Sequence, residues 1–125
     1  MIQISFDKVI PSRNELEYCI RTKKVRIKEW WQVHTEDKLE AYKMKFEEIH
    51  IVFKVYFKNN RSRDIDNYMA SLGIKGIIDG IVSCELIPDD NEKYLNYSID
   101  LLIDKENPRT EVCIYGAKER NTHYK

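Results

Sequence analysis

Hydrophobic and polar residues alternate along several stretches of the chain, and this alternation is typical of a β-strand with one buried face. The first stretch covers residues 2–6 and is stopped by Pro11. The longest and most regular alternation covers residues 49–57, and a third covers residues 95–103. A shorter strand is predicted at residues 111–115, after an Asn-Pro turn. The pattern therefore predicts about four strands.

Two segments between these strands have the character of helices. Residues from about 27 to 48 are rich in Glu, Lys, Ala and Met and contain no Gly or Pro, which predicts at least one helix there. A basic loop is predicted to lead into it. A second helix is predicted after Asp66 or Asn67, either of which can cap it. Its apolar residues recur at i, i+3, i+4 and i+7 and predict a core-facing stripe, namely Ile74, Ile77, Ile78 and Ile81. Three glycines within it, each costing about 1 kcal/mol relative to alanine, predict irregular early turns.

This order of elements predicts the fold class α+β, with a small mixed sheet of about four strands and helices packed against it. At 125 residues the chain is predicted to be a single domain, residues 1–125, with enough length to bury a core. The polar tail from Lys118 is a candidate for disorder.

The charges are unevenly distributed along the chain, although the formal net charge is zero. Residues 1–63 carry 14 basic and 9 acidic side chains, a net of +5, and residues 64–125 carry 7 and 12, a net of −5. This asymmetry suits a basic surface beside an acidic, cation-binding site. A purely structural attraction between the two halves would produce the same asymmetry.

The cysteines and the apolar runs exclude several classes of protein. Cys19, Cys84 and Cys113 are widely spaced and form no CxxC pair, so neither a disulfide framework nor a zinc site is indicated. The N-terminus lacks a basic region followed by an apolar segment, and no apolar run approaches the roughly 20 residues that span a bilayer. We therefore expect a cytoplasmic protein with no membrane partner.

The candidate chemistry follows the longest predicted strand. Asp64 and Asp66 are two residues apart, so in an extended backbone both carboxylates would leave the same face and converge on one cation. A second pair, Asp89 and Asp90, follows the second helix and could close the site. Mg²⁺ prefers hard oxygen ligands and keeps several waters, so a few carboxylates are sufficient ligands. Lys75 is the only lysine in this segment and could act on a phosphate or on an attacking water.

Each of these features also has a structural explanation. Asp64 could pair with Arg63, Asp66 could cap a helix, and the second acidic pair could form an ordinary turn. Lys75 and its i+4 neighbour could be an exposed ion pair. The D-I-D-N sequence is similar to the start of an EF-hand loop, but Met69 stands where that loop needs glycine, which argues against a calcium loop.

Basic side chains are concentrated in the N-terminal half and are candidates for contacts with a DNA backbone. The DNA-binding candidates are Arg13, Asn14, Arg21, Lys23, Lys24, Arg26, Lys54, Lys58, Arg61 and Arg63. Trp30 and Trp31 adjoin this stretch, where they could stack on exposed bases or pack on the core.

Three ordered motifs resemble the RusA family of Holliday junction resolvases. They are R-D-I-D-N at residues 63–67, K-G-I-I-D-G at residues 75–80 and I-P-D-D at residues 87–90. A P-S-x-N element, Pro11, Ser12 and Asn14, is also similar to the family's N-terminal region. The resemblance implies a homodimer that uses Mg²⁺, with Mn²⁺ able to substitute, and no nucleotide cofactor. It also implies that the substrate is branched DNA, a four-way junction cut by paired symmetric nicks.

The catalytic and metal-binding acids implied by the resemblance are Asp64, Asp66 and Asp90, with the neighbouring Asp89 as a further metal-binding candidate and second choice for the closing acid. The family's lysine follows the second aspartate by four residues, where this chain has Ala70. Lys75 keeps the family spacing to Asp79, and Asp79 keeps its spacing to Asp89. A five-residue insertion after Asn67 explains both facts and assigns the lysine's role to Lys75. Two alternatives stay open: a non-catalytic protein that binds branched DNA, and a nuclease for flaps or forks.

Overall fold

The computed structural model of the chain describes residues 1–119. Within these residues the elements are β1 (Ile2–Phe6), a short 3-10 helix (Asn14–Leu16), α1 (Arg21–Leu39), β2 (Phe46–Phe57), α2 (Ile65–Met69), α3 (Leu72–Ser83), β3 (Leu95–Ile103) and β4 (Arg109–Glu119). None of the helices in this part of the chain has the length and apolar character needed to cross a membrane.

The four strands form one mixed sheet in the order β1-β4-β2-β3. β4 runs antiparallel to both β1 and β2, whereas β2 and β3 are parallel. A parallel pair needs a crossover connection, and α2 and α3 lie in the segment that links β2 to β3. The predicted α+β class with a four-stranded mixed sheet is confirmed.

The core is built from one face of the central strands and from α1 and α3. Alternate residues of β2 are buried, as the sequence pattern predicts: Ile49, Ile51, Phe53, Val55 and Phe57. The predicted stripe of α3 is also confirmed, because Ile74, Ile77, Ile78 and Ile81 are all at most 8% exposed. Trp31 and Leu39 of α1 join the same cluster.

Two glycines of α3 allow α1 to approach closely. A Cβ atom at Gly76 would lie 2.4 Å from the carbonyl oxygen of Lys28, and one at Gly80 would lie 2.8 Å from Cβ of Thr35. The helix predicted to follow Asp66 or Asn67 is interrupted in its early turns, as predicted, because α2 ends at Met69 and α3 begins at Leu72. The interruption lies before the three glycines, where Ser71 accepts a hydrogen bond from Gly73 N at 3.0 Å and caps α3.

The helix predicted at residues 27–48 is displaced. α1 begins at Arg21, so part of the basic segment predicted as a loop is helical, and it ends at Leu39. β2 then begins at Phe46, three residues before the predicted start at residue 49. Phe46 belongs to the strand because it pairs with Glu119 of β4, and its ring occupies the space beside Gly116.

The last strand is longer than predicted at both ends. It extends from Arg109 to Glu119, because β2 pairs with it along this whole length, whereas β1 pairs only with residues 110–114. Lys118 therefore lies in a strand, and the rest of the tail predicted as disordered, residues 120–125, lies outside the described residues.

At the start of β4, Arg109 donates to the carboxylate of Asp104 at 2.7 Å. That hydrogen bond holds the pKa of Asp104 below its usual range.

Candidate functional site

Asp64 and Asp66 lie at the start of α2. The strand β2 ends earlier, at Phe57, so the prediction that both aspartates leave one face of an extended strand is wrong. Asp64 is the N-cap residue, with an extended backbone (φ −81°, ψ 122°), and Asp66 follows in the first turn. The predicted cap at Asp66 or Asn67 is therefore also wrong. Both aspartates are exposed, and the Asp64 carboxylate makes no capping hydrogen bond, which leaves it available to a ligand.

Arg63 organises the loop that leads to these aspartates. Its Nη1 donates to the carbonyls of Asn59 at 3.1 Å and Arg61 at 2.7 Å, and its Nη2 donates to Oδ1 of Asn59 at 2.8 Å. The guanidinium also lies over the Phe57 ring, 3.9 Å from its centroid. Arg63 is thus engaged inside the loop, and among the described side chains no ion pair joins it to Asp64.

The P-S-x-N segment contacts α2 directly. Arg13 N donates to the carbonyl of Asn67 at 2.8 Å, and Asn14 N donates to Oδ1 of Asn67 at 2.9 Å. Ser12 and Glu15 exchange reciprocal hydrogen bonds, both of 3.2 Å, that hold the segment in its turn. Two motifs more than 50 residues apart in sequence are therefore joined through one asparagine.

Lys75, Asp79 and Asp90 line one cleft of about 500 Å³. Its other walls are the junction between α2 and α3 and the first residues of β3, where the Tyr97 hydroxyl donates to the carbonyl of Met69 at 3.4 Å. Asp64 and Asp66 are not part of the cleft lining, which begins at the C-terminal end of α2. The structure thus brings the lysine and the closing acid together, beside the helix that carries the first acidic pair.

Asp79 lies between two lysines. Lys28 Nζ is 2.8 Å from Oδ2 of Asp79, and Lys75 Nζ is 3.9 Å from Oδ1. The expected i,i+4 pair is therefore present, but it is long, and the Lys75 side chain is 59% exposed. Lys28 was not among the predicted site residues, because it lies on α1 and no spacing along the chain links it to α3.

The two aspartates of the second acidic pair, Asp89 and Asp90, have different surroundings. Asp89 Oδ1 accepts a hydrogen bond from Asp90 N at 2.8 Å, and its Oδ2 accepts one from Asn91 Nδ2 at 3.3 Å. Asp89 therefore shapes the turn, as the structural explanation expects. Among the described side chains none forms a hydrogen bond or ion pair with the Asp90 carboxylate, which lines the cleft.

Whether these acids suit a divalent cation depends on donor type and number. Within residues 1–119, no group of three or more His, Cys, Asp or Glu side chains is arranged to hold a metal ion. Asp64, Asp66 and Asp90 thus do not lie close enough together in the described structure to form a preformed metal site. Their donor chemistry nevertheless fits Mg²⁺, which takes hard oxygens, binds through as few as one or two carboxylates, and completes its shell with water and substrate phosphate.

The predicted DNA contacts fall into separate groups. Arg13, Asn14 and Lys24 line a cleft of about 330 Å³ that shares Ala70 with the first one. Lys23 and Arg26 line other clefts beside α1. The remaining candidates are Arg21 at the start of α1, Lys54 on β2, and Lys58, Arg61 and Arg63 in the loop before α2.

The two tryptophans differ in their surroundings. Trp31 is 1% exposed and packs against Phe6, with ring centroids 5.0 Å apart, so its core alternative is confirmed. Trp30 is half-buried, and the ring of His34 stacks on its indole with centroids 3.9 Å apart. Base stacking on Trp31 is excluded by its burial.

Comparisons with known proteins identified no relative of this chain. No protein-family model matches this sequence, and a search of curated proteins finds no match. Any assignment of function therefore depends on the motifs and on the geometry described above.

Proposed function

We propose that this protein is a magnesium-dependent endodeoxyribonuclease that cuts branched DNA, with the four-way junction as its substrate. The observation that carries the proposal is the contact between motifs that are distant in sequence. Asn67 of the D-I-D-N motif is hydrogen-bonded to the P-S-x-N segment. Lys75 of the next motif shares a cleft with Asp90 of the last one.

The proposed roles follow from the surroundings of each side chain. Asp64, Asp66 and Asp90 would hold Mg²⁺, since all three are exposed carboxylates. When bound, such an ion activates water and neutralises charge on the phosphate. Lys75 neutralises a phosphate oxygen, because its ammonium is only loosely held by Asp79.

Two further residues position this site. Arg63 fixes the loop that presents Asp64, through its contacts with Asn59. The ion pair of Lys28 with Asp79 ties α3 to α1 and so fixes one wall of the cleft.

A homodimer completes the proposal. A four-way junction has two equivalent strands to cut, and a two-fold symmetric protein presents two equivalent sites to them. Paired symmetric nicks would follow from that symmetry.

A panel of branched substrates tests the activity. A four-way junction, a flap, a fork and a linear duplex of matched sequence are incubated with Mg²⁺, with Mn²⁺ and with chelator. We expect paired nicks in the junction with either metal and binding without cleavage in chelator. Cleavage confined to flaps or forks would reassign the substrate, and binding without metal-dependent nicking would favour a non-catalytic junction-binding protein.

Asp66→Asn tests the site itself. Cleavage of the junction is expected to fall on the order of 100-fold or more, because loss of a metal ligand removes several kcal/mol of transition-state stabilisation. Junction binding in chelator should be unchanged, since the exposed side chain keeps its shape. Asp100→Asn, an exposed aspartate on β3, is the matched control. Full cleavage by Asp66→Asn would refute the proposed site.

A further inference from the structure

A basic surface lies beside α1, and its lining includes none of the candidate acids. Two adjoining clefts of about 430 and 200 Å³ share Lys8, Lys23, Ile27 and Trp31 in their linings. Arg26 and Trp30 complete the smaller cleft. We name this pair of clefts the α1 basic cleft. Its cations come from two separate parts of the chain, because Lys8 follows β1 whereas Lys23 and Arg26 lie on α1.

The lining of the α1 basic cleft carries a net positive charge within the described structure. No described ion pair involves Lys8, Lys23 or Arg26. The one acidic residue in the lining is Glu15, so the cleft holds three cations and one carboxylate. Three unpaired cations around one depression form a site for an anion or a polyanion.

Trp30 determines which part of a nucleic acid could bind there. Lys8 Nζ lies 4.2 Å from the centroid of a Trp30 ring, a cation–π contact that holds the ammonium at the cleft. The His34 ring stacks on the same indole at 3.9 Å. A base could stack on Trp30 only by competing with these two contacts. The cleft therefore offers fixed cations to phosphates and does not offer a free stacking platform.

The α1 basic cleft is linked to the candidate site by the cleft of Arg13 and Lys24. That middle cleft shares Ala70 with the cleft of Lys75 and Asp90, and it shares Leu16 with the α1 basic cleft. Cations thus recur along neighbouring clefts from the candidate site to the N-terminal half of α1, with Glu17 as the one acidic residue in the lining of the middle cleft. A charged chain that leaves the candidate site in this direction meets them in turn.

We propose that the α1 basic cleft binds the phosphate backbone of a duplex arm of the DNA substrate, outside the cutting site and without reading its sequence. The identity of the ligand as DNA rests on the proposed function. The surface itself is defined independently of the acids, by Lys8, Lys23 and Arg26. Removing these contacts should weaken binding of every DNA sequence equally and should reduce the dependence of affinity on salt.

The experiment compares Lys23→Glu/Arg26→Glu with a control of equal charge change, Lys43→Glu/Lys105→Glu, at exposed positions outside the α1 basic cleft. Binding of a labelled four-way junction, a linear duplex and a single strand is followed by fluorescence anisotropy in chelator, over a series of salt concentrations. We expect the test variant to bind junction and duplex about tenfold or more weakly, with a salt slope reduced by about 2. The control should bind more tightly than the test variant.

Tryptophan fluorescence supplies a second measurement, which does not depend on the charge-reversed variants. The sequence contains two tryptophans, and Trp31 is 1% exposed, so a change in emission on DNA binding reports Trp30. We expect duplex binding to change the emission of the wild-type protein and expect Lys8→Gln to abolish most of that change. Thermal unfolding of each variant checks that the fold is retained.

Failure of this proposal is distinguishable from failure of the proposed function. If the test variant binds DNA as the control does, and Trp30 emission does not respond, the α1 basic cleft is not a DNA site, whether or not the junction is cut. If only single-stranded binding is lost, the cleft holds a strand and the duplex assignment is wrong. If the wild-type protein binds no DNA at all, both proposals are overturned.

Discussion

Asp89 and Asp90 are adjacent in sequence, yet their carboxylates have different surroundings. Asp89 accepts hydrogen bonds from Asp90 N and Asn91 Nδ2 and so stabilises the turn. Asp90 lines the cleft that contains Lys75. A carboxylate without internal partners can bind a cation at no cost in existing hydrogen bonds, which favours Asp90 as the ligand.

This difference predicts opposite outcomes for two matched substitutions. Asp90→Asn should lower junction cleavage on the order of 100-fold, because an amide oxygen is a weaker ligand than a carboxylate. Asp89→Asn should retain most of the activity, since an amide oxygen still accepts the hydrogen bond from Asp90 N. Rates with Mg²⁺ are compared at equal enzyme concentration. Equal losses in both variants, or a larger loss at Asp89, would contradict the assignment.

At the residue scale, the sequence could identify candidates but not their contacts. The order of the acidic motifs was sufficient to select Asp64, Asp66, Asp90 and Lys75 for consideration. The contact of Lys28 with Asp79 could not be predicted, because residues 51 apart are brought together only by helix packing. The engagement of Arg63 with Asn59 was missed for another reason, since an arginine beside an aspartate resembles a potential ion pair in any sequence.

At the scale of elements, the contact between α1 and α3 depends on small residues. Gly76 lies opposite the backbone of Lys28, and an added methyl group would meet a carbonyl oxygen that cannot move without shifting α1. The glycines that weaken α3 as an isolated helix therefore permit the packing that holds it in place.

Gly76→Ala should destabilise the protein despite the better helix propensity of alanine. Propensity favours alanine by about 1 kcal/mol, whereas overpacking against rigid backbone costs typically 1–3 kcal/mol, so the expected net loss is about 1 kcal/mol. Gly73→Ala is the comparison. A Cβ atom added at Gly73 would lie 2.9 Å from Cγ2 of Ile10, so it would meet a side chain and not the backbone. Urea denaturation of the three proteins measures the difference. A variant at Gly76 more stable than the parent would contradict the packing argument.

The strands were easier to predict than the helices for a physical reason. Alternation with a period of two survives wherever one face of a strand is buried, as in β2 and β3. The end of α1 carries no Gly or Pro signal, so composition could not separate the helix from the loop at residues 40–45. The extra length of β4 depends on its pairing with the long strand β2, which no local pattern records.

At the scale of the whole molecule, the proposed paired nicks require two sites. The chain mass is 15.0 kDa, and we predict that light scattering coupled to size exclusion gives twice this value. Measurement across a dilution series, with and without junction DNA, tests whether association depends on the substrate. A monomer under all these conditions would be inconsistent with coordinated cutting by one symmetric particle.

The position of β4 has a consequence for synthesis of the protein. β4 follows the other three strands of the described residues, but it lies between β1 and β2 and is the partner of both. While the ribosome is still translating the segment before Arg109, β1 has no neighbour in the sheet and the edge of β2 that faces β4 is unpaired. A nascent chain stalled at that point should therefore be sensitive to proteases and prone to aggregation, because unpaired strand edges recruit other chains. The sheet therefore cannot be completed before β4 has been synthesised, whatever the speed of its individual helices.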